Sequence, residues 1–189
     1  AAAFGFNRKN TGRCLLLGLV TGLGLVLISM VLALLTSQLI QSLGDQAEPQ
    51  KLVTLIAEES AKQENIGTLI FFVVMAVVVA PIAEEILFRG ILYPAIKQIG
   101  YPRLAAIGTA LLFALFHVNL LTFASLTAVA LALIALYEFT DNLLAPIIAH
   151  AIFNISNVAM IFMASKPLAP TTLENWLGFR YAIESVLII

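Results

Sequence analysis

Hydrophobic residues in this chain fall into long continuous runs, separated by short polar stretches. Leu15 to Leu39 carries nothing more polar than Thr, Ser and Gln, and predicts a first membrane span over residues 13–40. Residues 41–66 are polar, with Asp45, Glu48, Glu58, Glu59 and Glu64 set against Lys51 and Lys62. Within them LVTLIAEESAKQ reads as a short amphipathic helix at the membrane interface. The next run extends from Ile66 through Pro94, as one helix reaching Lys97 with a kink near Pro81. After YPRL at 101–104, a third segment covers 104–122, ending near His117, and a fourth covers 122–138. TDNL at 140–143 is a tight turn, and 143–165 makes the fifth span. The tail, KPLAPTTLENW and then YAIESVLII, reads as a polar, proline-containing stretch and a peripheral or truncated helix. The expected architecture is all-α: a multi-pass bundle of about five to six membrane helices around a buried polar cavity. Its parts are an N-terminal transmembrane helix (1–40), a polar loop with an interfacial helix (41–66), a core (67–165) and a tail (166–189).

Composition supports the membrane reading. The 189 residues are 61% hydrophobic and 11% charged, whereas soluble domains run at about 45–50% and roughly 25%. A lipid bilayer is the solvent that accommodates such a chain. The first apolar run is too long for a signal-peptide core and reads as a retained helix. A net charge of −1 gives no basis for nucleic-acid binding. The single cysteine, Cys14, excludes an internal disulfide and a thiolate metal cage, and reads as a helix residue rather than an acylation site. Arg8, Lys9 and Arg13 place the N-terminus in the cytoplasm, and Lys97 and Arg103 fall on the same side by alternation. The expected location is a bacterial-type plasma membrane.

Against that background a few polar residues stand out. An ionised side chain in a membrane helix costs roughly 2.5–3.5 kcal/mol on insertion scales, yet Glu84, Glu85 and Arg89 crowd one apolar run. A Glu85–Arg89 pair at i,i+4 that merely staples the helix explains two of the three and leaves Glu84 without a partner. The only two histidines, His117 and His150, also lie in apolar segments. His150 and Asn154 share a helix face at i,i+4, as do Phe113 and His117, so the Phe113 ring is placed to wall the imidazole from lipid. At 1.5 Å per residue, Glu84 lies about 20 Å from Lys97, His117 about 21 Å from Arg103, and His150 about 14 Å from Asp141. Measured from one membrane edge, the three can meet at mid-depth.

A carboxylate beside an imidazole can hold and deprotonate a water. A second imidazole and an asparagine amide can donate to an oxyanion, and Arg89 can fix Glu85. The set suits water-mediated hydrolysis of an acyl bond within the membrane. Other protease patterns are missing: there is no HExxH, no GxSxG, and the Gly44-Asp45 pair lies in a polar loop.

Three motifs occur in order: Glu84-Glu85-Ile-Leu-Phe-Arg89, Phe113-Ala-Leu-Phe-His117 and His150-Ala-Ile-Phe-Asn154. This succession resembles the EExxxR, FxxxH and HxxxN/D pattern of the CPBP family, the CAAX proteases and bacteriocin-processing enzymes also called the Abi family. Its type II CAAX prenyl endopeptidases form the Ras-converting-enzyme group. The resemblance covers roughly residues 67–165. It implies a helical bundle with a conical cavity and a metal-independent endopeptidase with no cofactor. The implied partners are the lipid bilayer and a peptide or membrane-protein substrate, including one with a prenylated C-terminus. It assigns water activation to Glu84 with His117, the oxyanion side to His150 and Asn154, and support to Glu85 and Arg89.

Two other readings use the same residues. Two histidines and a glutamate are a sufficient ligand count for catalytic zinc, which would make the chain a zinc-dependent membrane protease. A non-proteolytic membrane scaffold or immunity protein that retained the motifs is the other. A proton-coupled transporter is less compatible, because no inverted repeat is visible.

Overall fold

A computed structural model describes residues 10–44, 51–62 and 66–164. The N-terminal Arg8 and Lys9 and the tail therefore lie outside the described residues. Every described element is helical: α1 (Thr11–Ser42), α2 (Lys51–Lys62), α3 (Ile66–Lys97), α4 (Pro102–Phe116), α5 (Leu120–Thr140) and α6 (Leu144–Ala164). Four of these, α1, α3, α5 and α6, are long and apolar enough to cross a membrane. At 15 residues, α4 falls short of the roughly 20 a span requires.

The third and fourth segments divide earlier than their hydrophobicity suggests. The apolar run continues through Leu120 and Leu121, but α4 stops at Phe116. Val118 takes a left-handed φ of 48°, a strained conformation for a β-branched residue. Asn119 then caps α5, its side-chain oxygen accepting from the Thr122 N–H at 3.0 Å. Hydrophobicity counts residues by their solvent preference and is blind to this cap. The turn after α5 is where the TDNL stretch places it. Asp141 closes α5 with φ 46°, and the buried Asn142 side chain accepts from the Leu144 N–H at 3.0 Å to start α6.

α1 turns a stripe of mostly small residues inward: Cys14, Gly18, Gly22, Leu25, Ser29, Ala33, Ser37 and Ile40. In lipid, small residues at such spacing let two helix backbones approach and gain dispersion contacts. A Cβ on Gly18 would sit 2.8 Å from the Ala145 carbonyl oxygen, and one on Gly22 only 2.6 Å from that of Ala149. α1 thus lies directly on α6, and it also packs on α5, where Ser125 Oγ donates to the Ser29 carbonyl at 3.3 Å. α2 is held by Ile56, 2% exposed, in a small apolar cluster with Ala76, Val158 and Ile161.

α3 departs from regular α geometry twice, over Met75–Val79 and Ile86–Leu92, where the turns widen to π-helix. Each π segment leads into a proline, Pro81 and Pro94. A proline ring clashes with the preceding turn and offers no N–H, and a widened turn relieves both problems without breaking the rod. The distortion expected near Pro81 is therefore a register change in the hydrogen-bond ladder. The second widened segment contains Arg89, so the arginine and the two glutamates sit on either side of a change in helical pitch.

Candidate active site

Ala80 N–H reaches back five residues to the Met75 carbonyl, and Pro81 has no N–H. The Ala76 carbonyl is thereby left without its ladder donor. Asn154 Nδ2 supplies one from α6, at 2.7 Å. The same logic acts at His117. Its backbone N–H turns to the Ala114 carbonyl at 3.2 Å as α4 ends, which frees the Phe113 carbonyl. His117 Nδ1 lies 2.8 Å from that oxygen. A carbonyl only accepts, so Nδ1 carries the proton and Nε2 remains for other work.

His150 is fixed in the same sense by a different partner. Its Nδ1 is 2.8 Å from Glu85 Oε1, and the same oxygen accepts from Arg89 Nη1 at 2.8 Å. Arg89 also donates from Nη2 to the Ala130 carbonyl of α5 at 3.1 Å. Glu85 and Arg89 are fully buried, so their pairing offsets charges that neither lipid nor apolar side chains could stabilise. The Phe113 ring completes the support. It lies 4.8 Å from the Arg89 guanidinium and packs against His117 and His150 with centroids 4.8 and 5.8 Å apart.

Glu84 is placed differently from its neighbour. It is one residue away on the helix, so its side chain swings about 100° round the axis and comes out beside α6. Glu84 Oε2 lies 3.9 Å from His150 Nε2, and the side chain keeps 29% exposure. Glu84, His117, His150 and Asn154 line one cleft of about 310 Å³. Ile56, Ala76, Ala80, Leu126, Phe153, Val158 and Ile161 supply its apolar walls. This volume is at the lower end of the range for small-ligand sites, about 300–1,000 Å³, and suits a few residues of a peptide. Polar side chains at Lys51, Glu84, His117, His150, Asn154 and Asn157 are set among these apolar walls, and the buried polar cavity expected from the sequence is not shown.

The seven residues singled out in the sequence thus separate into two layers. Glu84, His117, His150 and Asn154 face the cleft; Glu85, Arg89 and Phe113 stand behind them and hold them. Two polar residues of the lining, Lys51 and Asn157, lie outside the three motifs. Asn157 follows His150 by seven residues and so lies on the same helix face, a signal the spacing contained. Lys51 reaches the cleft only through the packing of α2, which no sequence pattern specifies. Among the described residues, no three or more His, Cys, Asp or Glu side chains are grouped as ligands of a metal ion would be.

Comparison with known proteins fits this placement. No curated protein and no solved structure matches the chain. Residues 66–156, which span α3 to most of α6 and contain all seven residues, match the family model described as type II CAAX prenyl endopeptidase Rce1-like. Over this region, which supplies most of the cleft lining, the chain is similar to the Rce1-like type II CAAX prenyl endopeptidases.

Proposed function

We propose that this integral membrane protein hydrolyses a peptide bond with a water activated by Glu84 and His117. The observation that carries the reading is the pair of neighbouring glutamates in opposite situations. Glu85 is fully buried, with Oε1 bonded to both Arg89 and His150 and Oε2 unpartnered among the described residues. Glu84 Oε2 also has no hydrogen-bond partner there, but its side chain is 29% exposed and borders the cleft. A structural ion pair accounts for Glu85 and gives Glu84 nothing to do; hydrolysis gives it a task.

The geometry supports the following steps. Glu84 takes a proton from water through Oε1, the oxygen not turned toward His150. The water oxygen attacks the substrate carbonyl, with His117 Nε2 accepting the second water hydrogen and fixing its direction. The oxyanion is met by the Asn154 N–H not used on Ala76 and by His150 Nε2. Donation from Nε2 needs a hydrogen there in addition to the one Nδ1 directs at Glu85 Oε1. Collapse of the tetrahedral intermediate breaks the C–N bond, and Glu84 returns its proton to the leaving nitrogen. The substrate class this implies is a peptide delivered from the membrane, a prenylated C-terminus among them. Arg13, with Arg8 and Lys9, orients the N-terminus toward the cytoplasm.

The test is cleavage of an internally quenched prenylated peptide by the purified chain in liposomes. Glu84→Gln is expected to lower kcat by about 10³-fold, within the range a general base typically contributes (about 10²–10⁴), with the protein still folded. Retention of more than a tenth of the wild-type rate removes Glu84 from the reaction. A chelator arm addresses the zinc reading: loss of cleavage on chelation and recovery with zinc would replace the metal-free mechanism.

A further inference from the structure

Asn157 is 7% exposed, lines the same cleft as Glu84 and His150, and leaves its Oδ1 buried without a hydrogen-bond partner among the described residues. It belongs to none of the three motifs, and the steps above make no use of it. A carboxamide held in an apolar membrane interior without a partner is costly. Two readings are open to it. As a helix-packing residue it would be matched to a neighbouring helix, as Asn154 is matched to the Ala76 carbonyl. Its orphaned oxygen is instead buried at the cleft, where a bound molecule can supply the donor.

The chemistry of that molecule can be read from the group. A carboxamide has one acceptor and two donors, the complement of a peptide unit, which offers one N–H and one C=O. Asn157 stands seven residues beyond His150 on α6, about 10 Å along the axis. An extended peptide advances about 3.3 Å per residue. A strand running along α6 with its scissile carbonyl at His150 therefore presents its third peptide unit at Asn157. The apolar residues Ile56, Val158 and Ile161 line the cleft with Asn157 and, Lys51 apart, they offer the substrate backbone nothing to bond.

We infer that Asn157 is a substrate-binding residue whose Oδ1 accepts the backbone N–H of the peptide about three residues from the bond to be cut. The inference rests on the endopeptidase reading and sharpens it: register along the cleft is set by a backbone hydrogen bond, so cleavage occurs at a fixed count of residues from this anchor and tolerates varied side chains there.

The test is an ester scan. A fluorescent prenylated peptide is prepared in versions that each replace one amide by an ester, which deletes a single N–H. Binding is measured by anisotropy to the full chain in detergent micelles carrying Glu84→Gln, and cleavage is measured with the unsubstituted chain. One ester, about three residues from the cut site, is expected to weaken binding about tenfold and the others less than threefold. Asn157→Leu is expected to weaken the all-amide peptide about tenfold, raising KM rather than lowering kcat, and to abolish the ester's extra penalty. Asn157→Asp keeps an acceptor oxygen and is expected to retain it, which keeps the comparison available should the leucine variant not fold. A flat scan, or an ester penalty undiminished in Asn157→Leu, overturns the anchor. A chain that cuts the peptide but gives a flat scan loses the anchor and keeps the protease reading. One that binds with the single-position penalty but never cuts does the reverse, and one that neither binds nor cuts loses both.

Discussion

Gly22 offers a sharp test of how the site depends on packing far from the chemistry. Its position faces α6, and a Cβ there would lie 2.6 Å from the Ala149 carbonyl oxygen and 2.8 Å from Ile152 Cβ. Ordinary contact begins at 3.4 Å, so Gly22→Ala creates a shortfall of about 0.8 Å against backbone that no rotamer change can move. α6 must shift as a body, and Ala149 is the residue before His150. The 3.9 Å spacing of His150 Nε2 and Glu84 Oε2 is then altered by a comparable amount. Overpacking costs about 1–3 kcal/mol, while removing a helical glycine returns up to about 1 kcal/mol, so the net loss of stability is small, about 0–2 kcal/mol. Displacement by about 1 Å is worth up to roughly 10²-fold in rate. Gly22→Ala is expected to lower kcat by 10- to 100-fold, in the cleavage assay, with only a modest fall in thermal midpoint. Gly24→Ala is the control, because nothing lies within 4 Å of its Cβ position; it should match or exceed wild-type stability at full activity. Equal behaviour of the two variants would refute the claim that the α1–α6 approach positions the site.

Three further outcomes follow. Arg89→Met strands the buried Glu85 carboxylate and should destabilise the fold by about 3–5 kcal/mol; adding Glu85→Leu should restore most of that stability but not activity, as read by thermal unfolding and cleavage. Asn154→Ala removes the donor to the Ala76 carbonyl and the proposed oxyanion donor, so it should cost about 1–3 kcal/mol of stability and about 10²–10³ in kcat with little change in KM; an effect confined to KM would contradict the oxyanion role. Val118→Gly relieves the left-handed strain beside His117 and is expected to stabilise by up to about 1 kcal/mol, offset by the added freedom of the unfolded chain; denaturation of the two proteins side by side measures it.

Much of the fold was legible because the bilayer makes hydrophobic length the dominant variable. The first span, the long helix through Glu84 and Glu85, the short amphipathic helix Lys51–Lys62 and the turn at Asp141 each follow from run length, amphipathicity or turn chemistry. The end of the third segment near His117 was legible too, but the start of the next helix was not, since Leu120 and Leu121 read as part of the third segment while Asn119 acts through a hydrogen bond from the Thr122 N–H. The register of α3 was only partly readable. Pro81 announced a distortion, but a kink and a π turn answer the same missing N–H, and the choice between them depends on the Asn154 donor arriving from another helix.

The candidate site divides along the same line. Its residue types and their grouping into motifs are properties of the sequence, because a charge or imidazole in an apolar run needs a reason wherever the chain folds. That adjacent glutamates play opposite parts is decided in three dimensions. Positions 84 and 85 are neighbours along the chain, yet one turns to Arg89 and His150 in the closed interior and the other to the cleft. Likewise Asn157 gains meaning only when α2, α3 and α6 enclose a space at its side. Sequence specifies which groups must escape lipid, since that is a property of each side chain and its solvent. Packing alone determines which of them find a partner and which are left facing an opening, since that depends on distances between helices far apart in the chain.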